Sequence, residues 1–207
     1  MSEPKTLDRP AWIPKEIQEN WDPDPYAYQT EEEQMPAGGL HNALMAYVSE
    51  LLRSHLKELG LMMLYDVFLL FRRLDGVKDR KSPDLLLTEY HDPPVSAYDL
   101  DQMPVPEFVA EITSPESRAT DATDKRRFWT NLGVARFLLI DALDDEGKPK
   151  DTISARVWFR GKEQKPNADG FLELPEIKLL IRPTASKIVF YEMGTLKALR
   201  VIDAYKK

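Results

Sequence analysis

Cysteine is absent from this chain of 207 residues. Its absence excludes disulfide bonds, thiolate metal sites and a cysteine nucleophile. Only three histidines are present, which disfavours a zinc site built from three histidines. No apolar run approaches the roughly 18 residues of a membrane helix, and the first ten residues lack the apolar core of a secretory signal. We therefore expect a cytoplasmic protein with no membrane partner.

Negative charge is concentrated near the amino terminus. The formal net charge is -7, and residues 1–36 contain nine acidic side chains against three basic ones. The same stretch holds six of the 16 prolines, which disfavour a long helix, together with large apolar side chains such as Trp12 and Trp21. We predict a proline-rich acidic arm at residues 1–37, packed against the body or a partner subunit, and one domain at residues 38–207. Disorder of the first residues of the arm is the alternative.

The spacing of apolar residues predicts a fold of the α/β (α+β) class. Helical spacing marks two segments, 40–59 and about 121–132, and a glycine follows each of them. Strand patterns occupy seven segments, of which the first two are expected to form a hairpin with a long connection: 66–73, 82–88, 108–113, 136–141, 154–159, 171–174 and 187–191. The region between 89 and 106 is expected to be a loop.

The order of these segments predicts a mixed β-sheet flanked by helices, with a β-rich carboxy-terminal part. The apolar run at 136–141 is expected at the centre of the sheet. A nucleotide-binding fold has no support, because both glycine-rich phosphate-loop motifs are absent from the sequence.

Glu111 lies inside a short apolar strand pattern, Phe108-Val-Ala-Glu-Ile-Thr113. Strand alternation places Glu111 on one face with Val109 and Thr113, and the other three side chains on the opposite face. A carboxylate inside a buried strand is unfavourable unless it is paired or binds a cation. Glu111 therefore requires a partner.

Two further charged residues are candidates for the same site. Asp84 follows a proline and opens an apolar run, so it either lies at the rim of a strand or is paired. Lys125 shares a helical stripe with Phe128 and Leu132, which are expected to face the sheet. The ammonium group of Lys125 is therefore expected near the end of the Glu111 strand.

Two carboxylates and a lysine in one place have a definite chemical use. Carboxylates hold hard divalent cations through oxygen ligands. Such a cation polarises a phosphodiester and lowers the pKa of a bound water, while a lysine orients that water or stabilises the charge that develops on the phosphate. The three residues thus predict metal-assisted phosphodiester hydrolysis.

An ordered set of motifs between residues 83 and 141 resembles a known family. The set consists of Pro83-Asp84, Glu111-Ile-Thr-Ser-Pro115, Asp121-x-x-x-Lys125, Leu132-Gly-Val134 and Phe137-Leu-Leu-Ile-Asp141. It is similar to the Uma-two family of restriction endonucleases, within the PD-(D/E)XK nuclease superfamily, over about residues 38–195. The resemblance implies a restriction-endonuclease-like core and Mg²⁺ or Mn²⁺ held by Asp84 and Glu111. It also implies nucleic acid, in particular DNA, as a partner, and a homodimer or higher homo-oligomer.

One position departs from the superfamily pattern. The lysine of that pattern lies two residues after the glutamate, where this chain has Thr113, and the family resemblance places it instead at Lys125 on the next helix. The family often has a histidine at the head of the first helix, which matches His41. Possible accessory residues complete the candidate site: His41, Asp121, Thr113 and Ser114.

Each candidate also has a structural interpretation. Asp84 is able to cap a strand, Glu111 to pair with an arginine, and Lys125 to pair only with an acid one helical turn away. Basic residues cluster at 72–81 and 115–136, where they are able to contact phosphates, although a solvated charged face explains them equally well.

The sequence as a whole predicts a divalent-metal-dependent endonuclease. Asp84 and Glu111 are expected to bind the metal, and Lys125 to position water or stabilise the transition state. The first alternative is a non-catalytic module of the same fold that binds nucleic acid or protein. The second is a homo-oligomeric structural protein whose aromatic arm drives assembly.

Overall fold

The computed structural model describes residues 39–73, 75–91, 95–113, 121–144, 146, 148–183 and 188–199. These residues form two α-helices, a π-helical turn, a short 3-10 helix (Pro175–Ile177) and twelve strands. The predicted arm at 1–37 and Ser114 lie outside the described residues. The helices are α1 (Gly39–Glu58) and α2 (Arg126–Leu132), and a π-helical turn, Asp121–Lys125, leads directly into α2. The strands in chain order are β1 (Leu61–Tyr65), β2 (Phe68–Arg72), β3 (Lys78–Lys81), β4 (Leu85–Glu89), β5 (Ala97–Asp99), β6 (Phe108–Ile112), β7 (Arg136–Leu143), β8 (Pro149–Phe159), β9 (Lys162–Gln164), β10 (Leu172–Leu174), β11 (Leu179–Pro183) and β12 (Ile188–Glu192).

A six-stranded mixed sheet has the strand order β1-β4-β6-β7-β8-β9. Strands β6 and β7 run parallel, and the other neighbouring pairs are antiparallel. A parallel pair needs a crossover connection, and α2 lies in the segment that joins β6 to β7. Two three-stranded sheets, β3-β2-β5 and β10-β11-β12, complete the described β-structure.

Side chains of the six-stranded sheet alternate between two apolar cores, as the strand period of two requires. One face packs against α1 and the β10-β11-β12 sheet, and its buried side chains include Leu85, Leu87, Phe108, Ala110, Ile112, Leu138 and Ile140. The opposite face packs against α2 and the β3-β2-β5 sheet, and its buried side chains include Leu86, Val109, Phe137, Leu139 and Trp158. Glu111 lies two residues after Val109, so its side chain is on the same face of the sheet, the one that α2 covers.

Both predicted helices are present, and each is followed by a glycine in the left-handed region. Gly133 has a φ of 106° and ends α2, where its N–H donates to the Thr130 carbonyl and the Val134 N–H donates to the Trp129 carbonyl. A side chain at this φ would be strained, so glycine suits the position. Gly60 has a φ of 72° and separates α1 from β1.

The predicted hairpin between segments 66–73 and 82–88 is wrong. Strand β2 pairs with β3 and β5 in a small sheet, whereas β4 lies between β1 and β6 in the large sheet. An apolar strand is able to pair with the edge of any compatible strand. Strand β2 pairs with β3, the charged segment Lys78–Lys81, which lies in the predicted connection of the hairpin. Strands β1, β9 and β11 were not predicted, and β5 lies inside the predicted loop.

The predicted fold class is confirmed by the mixed sheet, the flanking helices and the β-rich part from β8 to β12. Strand β7 lies between β6 and β8, in the interior of the large sheet, as its apolar run predicts. Neither described helix combines the length and the apolar character needed to cross a membrane.

Candidate active site

The candidate site lies where β6 ends and β4 begins. These strands are antiparallel, with Leu85 opposite Ala110, so continuing the register by one residue brings Asp84 beside Glu111. The Ile112 N–H donates to Asp84 Oδ2 at 2.6 Å, which holds this carboxylate against the end of β6. The two predicted carboxylates therefore meet on neighbouring strands.

Glu111 is fully buried and has two side-chain partners. Its Oε1 accepts a hydrogen bond from the indole N–H of Trp129 at 2.8 Å, and its Oε2 accepts one from the Lys125 ammonium at 3.3 Å. Burial raises the pKa of Glu111 to about 8, although the positive charge of Lys125 acts in the opposite direction. Trp129 was not predicted as a site residue, because an indole on a buried helix face has the same sequence pattern as an ordinary core residue.

Lys125 brings a cation into the same buried volume. Its Nζ lies 2.8 Å from Asp121 Oδ1 and 3.3 Å from Glu111 Oε2, and its side chain is only 11% exposed. Burial disfavours the charge on Lys125, but the negative charges of Glu111 and Asp121 outweigh this effect and raise its pKa above its ordinary value. Lys125 therefore stays protonated and balances buried negative charge.

A π-helical turn sets the position of this cation. Asp121 and Lys125 are its first and last residues, and Asp121 is fully buried. Such turns widen a helix locally and are found frequently at functional sites.

His41 reaches Asp84 from the opposite face of the sheet. It lies in the first turn of α1, and its Nε2 is 3.0 Å from Asp84 Oδ2 and 2.7 Å from the Ile112 carbonyl oxygen. Burial acts to lower the pKa of His41, but the hydrogen bond and negative charge of Asp84 lead the opposing effects, which prevail and raise it.

Thr113 connects the site to the end of β7. Its hydroxyl donates to Asp141 Oδ1 at 2.7 Å, and Asp141 Oδ2 accepts a hydrogen bond from the Lys150 ammonium at 2.6 Å. Thr113 thus lies two residues after Glu111, and the Lys150 ammonium from β8 reaches the same carboxylate, Asp141, as the Thr113 hydroxyl does. Lys150 was not predicted as a site residue, because only the pairing of β7 with β8 brings it to this end of the sheet.

The structure gathers most of the predicted site residues in one place, and their chemical roles stay predictions. Those that it brings together are Asp84, Glu111, Lys125, His41, Asp121 and Thr113. Ser114 lies outside the described residues.

Arginines from α2 and β8 meet on the same face of the sheet. The guanidinium carbons of Arg126 and Arg156 lie 5.6 Å and 4.6 Å from the centre of the Trp158 ring. Arg156 also donates two hydrogen bonds to Glu163, at 2.7 Å and 2.8 Å. Burial and the nearby positive charges of Arg156 and Arg127 lower the pKa of Arg126. Cations this close to one another favour an anionic partner.

Oxygen atoms at the site suit a hard divalent cation. They belong to the carboxylates of Asp84 and Glu111 and to the Ile112 carbonyl, and none of the described residues donates to Asp84 Oδ1. Mg²⁺ prefers oxygen ligands and commonly binds one or two carboxylates together with waters and substrate phosphates. The described residues contain no group of three or more His, Cys, Asp or Glu side chains able to hold a metal, so water and substrate would supply the remaining ligands.

The chain thus has a mixed, helix-flanked sheet with two carboxylates and a lysine at one end. The model of the Uma2 (Uma-two) family, described as "Putative restriction endonuclease", matches residues 17–176. This range is more than half of the sequence, and the chain therefore belongs to the Uma2 family.

Among the solved structures that are similar to this chain is one described as "a putative nuclease belonging to DUF820" from Anabaena variabilis, which is 18% identical. The similarity covers 73% of this chain and 87% of that chain, with a TM-score of 0.49. No curated protein matches the sequence.

Proposed function

We propose that this protein is an endonuclease that uses Mg²⁺ or Mn²⁺ to hydrolyse phosphodiester bonds, with DNA as its substrate. The observation that carries the proposal is the meeting of Asp84, Glu111 and Lys125 at one end of the sheet, around oxygen atoms that suit a divalent cation. Membership of the Uma2 family supports the same reaction class.

Asp84, Glu111 and the Ile112 carbonyl would hold the metal ion. When bound, such an ion polarises the scissile phosphate and lowers the pKa of a water molecule. The protein's own contribution is a cation, Lys125, held by Glu111 and Asp121 with little exposure to solvent. A charge fixed in a low-dielectric site stabilises the negative charge that develops on the phosphate more strongly than a solvated charge does.

Nucleic acid is the substrate that the neighbouring charges favour. Arg126 directly follows Lys125, and with Arg156 it contacts the Trp158 ring on the face that α2 covers. Arginines contact phosphates without reading sequence, and this kind of binding weakens as salt increases. We therefore propose that the two arginines bind the phosphate backbone beside the reacting phosphodiester.

Cleavage of duplex DNA requires two attacks, one on each strand. A homodimer would supply one site for each strand, and we include this assembly in the proposal, with the cytoplasm as its location. Light scattering after size-exclusion chromatography tests the assembly. A monomeric mass at the concentration that cleaves DNA would contradict it.

A cleavage assay tests the proposed activity. Supercoiled plasmid, linear duplex, single-stranded DNA and RNA are incubated with Mg²⁺, Mn²⁺ or EDTA, using the wild type and the Glu111→Gln variant. The matched control is Glu50→Gln, which changes a glutamate on α1 that is 41% exposed and pairs with Arg53. We expect metal-dependent cleavage by the wild type and the control, and a loss of about 100-fold or more in Glu111→Gln. Cleavage by Glu111→Gln at the wild-type rate would refute the assignment.

A non-catalytic binding module is the second candidate. The full burial of Glu111, whose two oxygens accept hydrogen bonds from Trp129 and Lys125, favours this alternative, because these contacts also describe a structural carboxylate. Binding of nucleic acid that continues in EDTA and is unaffected by Asp84→Ala, without cleavage of any substrate, would support the module over the enzyme.

A further inference from the structure

His41 contacts the candidate site through one ring nitrogen. Its Nε2 lies within hydrogen-bond distance of two oxygen acceptors, the Ile112 carbonyl at 2.7 Å and Asp84 Oδ2 at 3.0 Å. A carbonyl and an ionised carboxylate have no hydrogen to donate, so Nε2 must carry the hydrogen and share it between them. The tautomer of the buried ring is therefore set by its two neighbours.

The same contacts leave the two oxygens of Asp84 in different states. Oδ2 receives the Ile112 N–H at 2.6 Å and the His41 Nε2–H at 3.0 Å, which engages both of its lone pairs. Oδ1 receives no hydrogen bond from the described residues. Among the residues that the structure describes, the carboxylate is thus held through Oδ2, and none of them donates to Oδ1.

We propose that His41 is a positioning residue that fixes Asp84 so that Oδ1 faces the divalent cation. This inference rests on the proposed function, because it needs a cation bound through Asp84. The Ile112 N–H holds Asp84 Oδ2 from β6, and the His41 N–H holds the same oxygen from a helix on the other side of the sheet. Two donors from different elements fix the position of Oδ2, and with it the orientation of the carboxylate, more firmly than one donor does. Partners of this kind typically change metal affinity by about 10- to 100-fold when they are lost.

His55 provides a matched control on the same helix. Its Nε2 also donates to a backbone carbonyl, that of Ile177, at 2.7 Å. This contact resembles the one between His41 and Ile112, but His55 has no carboxylate partner among the described residues. Replacing either histidine removes an imidazole ring from α1 and the hydrogen bond that it donates to a backbone carbonyl. Only the replacement of His41 also removes a hydrogen bond to Asp84.

The experiment measures Mn²⁺ binding to the purified full chain by isothermal titration calorimetry. The proteins are the wild type, His41→Ala, His41→Gln and His55→Ala, each checked by thermal unfolding. We expect Mn²⁺ to bind His41→Ala about 10- to 100-fold more weakly than the wild type. His41→Gln keeps an N–H donor and is expected to recover part of the affinity, and His55→Ala is expected to bind as the wild type does. If His41→Ala fails to fold, the comparison of His41→Gln with His55→Ala decides.

Each contrary outcome has a distinct meaning. Unchanged or tighter Mn²⁺ binding by folded His41 variants overturns the positioning role and leaves the proposed function standing. An imidazole nitrogen coupling in the electron spin-echo spectrum of bound Mn²⁺, present in the wild type and lost in His41→Ala, also overturns it, because His41 is then a metal ligand. Failure of the wild type to bind Mn²⁺ with or without DNA overturns the metal-dependent function and this inference together.

Discussion

Replacing Lys125 by methionine is expected to destabilise the protein, because it removes a buried cation from between two buried carboxylates. The methionine side chain has nearly the same length and shape, so the change is mainly one of charge. The ammonium group lies 3.3 Å from Glu111 and 2.8 Å from Asp121, and both carboxylates are buried. Without Lys125 their charges have lost their nearest compensation in a region that excludes water.

The expected magnitude follows from burial. Removing one partner of a buried ion pair costs about 3–5 kcal/mol, far more than breaking an exposed pair. For a chain of this size, 1 kcal/mol lowers the Tm by roughly 2–4 °C, so Lys125→Met is expected to lower it by about 6–20 °C well above pH 8, at about pH 10, where Glu111 is ionised in the wild type. The loss should shrink as the pH falls through about 8, because Glu111 is then protonated in both folded proteins. Removing Lys125 raises the pKa of Glu111 above its wild-type value of about 8, so the two proteins differ in the protonation of folded Glu111 only above about pH 8.

Thermal unfolding of both proteins between about pH 6 and pH 10 measures this effect. The matched control is Arg53→Met, which breaks an exposed pair with Glu50 on α1 and is expected to leave the Tm unchanged. A loss below about 1 kcal/mol at about pH 10, or a loss that is the same at about pH 6 and about pH 10, would refute the conclusion that Lys125 compensates buried carboxylates.

Three further predictions concern neighbouring contacts. Trp129→Phe removes the indole donor to Glu111 and should cost about 1.5–3 kcal/mol in urea unfolding, and a cost near zero would contradict the buried bond. Joint replacement of Arg126 and Arg156 by alanine should weaken DNA binding measured by fluorescence anisotropy. It should also reduce the slope of the logarithm of the binding constant against the logarithm of the salt concentration by about two, whereas an unchanged slope would mean that these arginines do not contact phosphates. Hydrogen bonds from Arg156 lower the pKa of Glu163, so this pair stabilises the fold above about pH 4.5, and its contribution disappears as the pH falls through the lowered pKa. Glu163→Gln should reduce the acid sensitivity of the Tm, and an identical pH profile would argue against the pair.

Local periodicity was sufficient to predict the central part of the site. The strand period of two indicated that Glu111 shares a face with Val109, and the helical period indicated that Lys125 shares a stripe with Phe128. Both periods are properties of a few consecutive residues, so they are readable without knowledge of the fold. Their combination was enough to predict a contact between Glu111 and Lys125, which are 14 residues apart.

Strand pairing was not predictable in the same way. The apolar segments that became β2 and β4 look alike in sequence, yet they belong to different sheets. One partner of β2 is β3, a charged segment that ends at Lys81. The Lys81 side chain is buried, and its ammonium lies 5.0 Å from the centre of the Phe128 ring. A pattern of alternating side chains indicates that a strand has a buried face, and it does not indicate which edge the backbone will meet.

The class of fold, the family and the faces on which Glu111 and Lys125 lie were all predictable from the amino-acid sequence, because they depend on motif order and local period. The contact of His41 with Asp84 across the end of the sheet, and that of Lys150 with Asp141, became visible only in the folded chain. Those contacts depend on strand order and register, which are settled when all the apolar faces of the chain are buried at once. They are therefore properties of the whole fold, and no single segment encodes them.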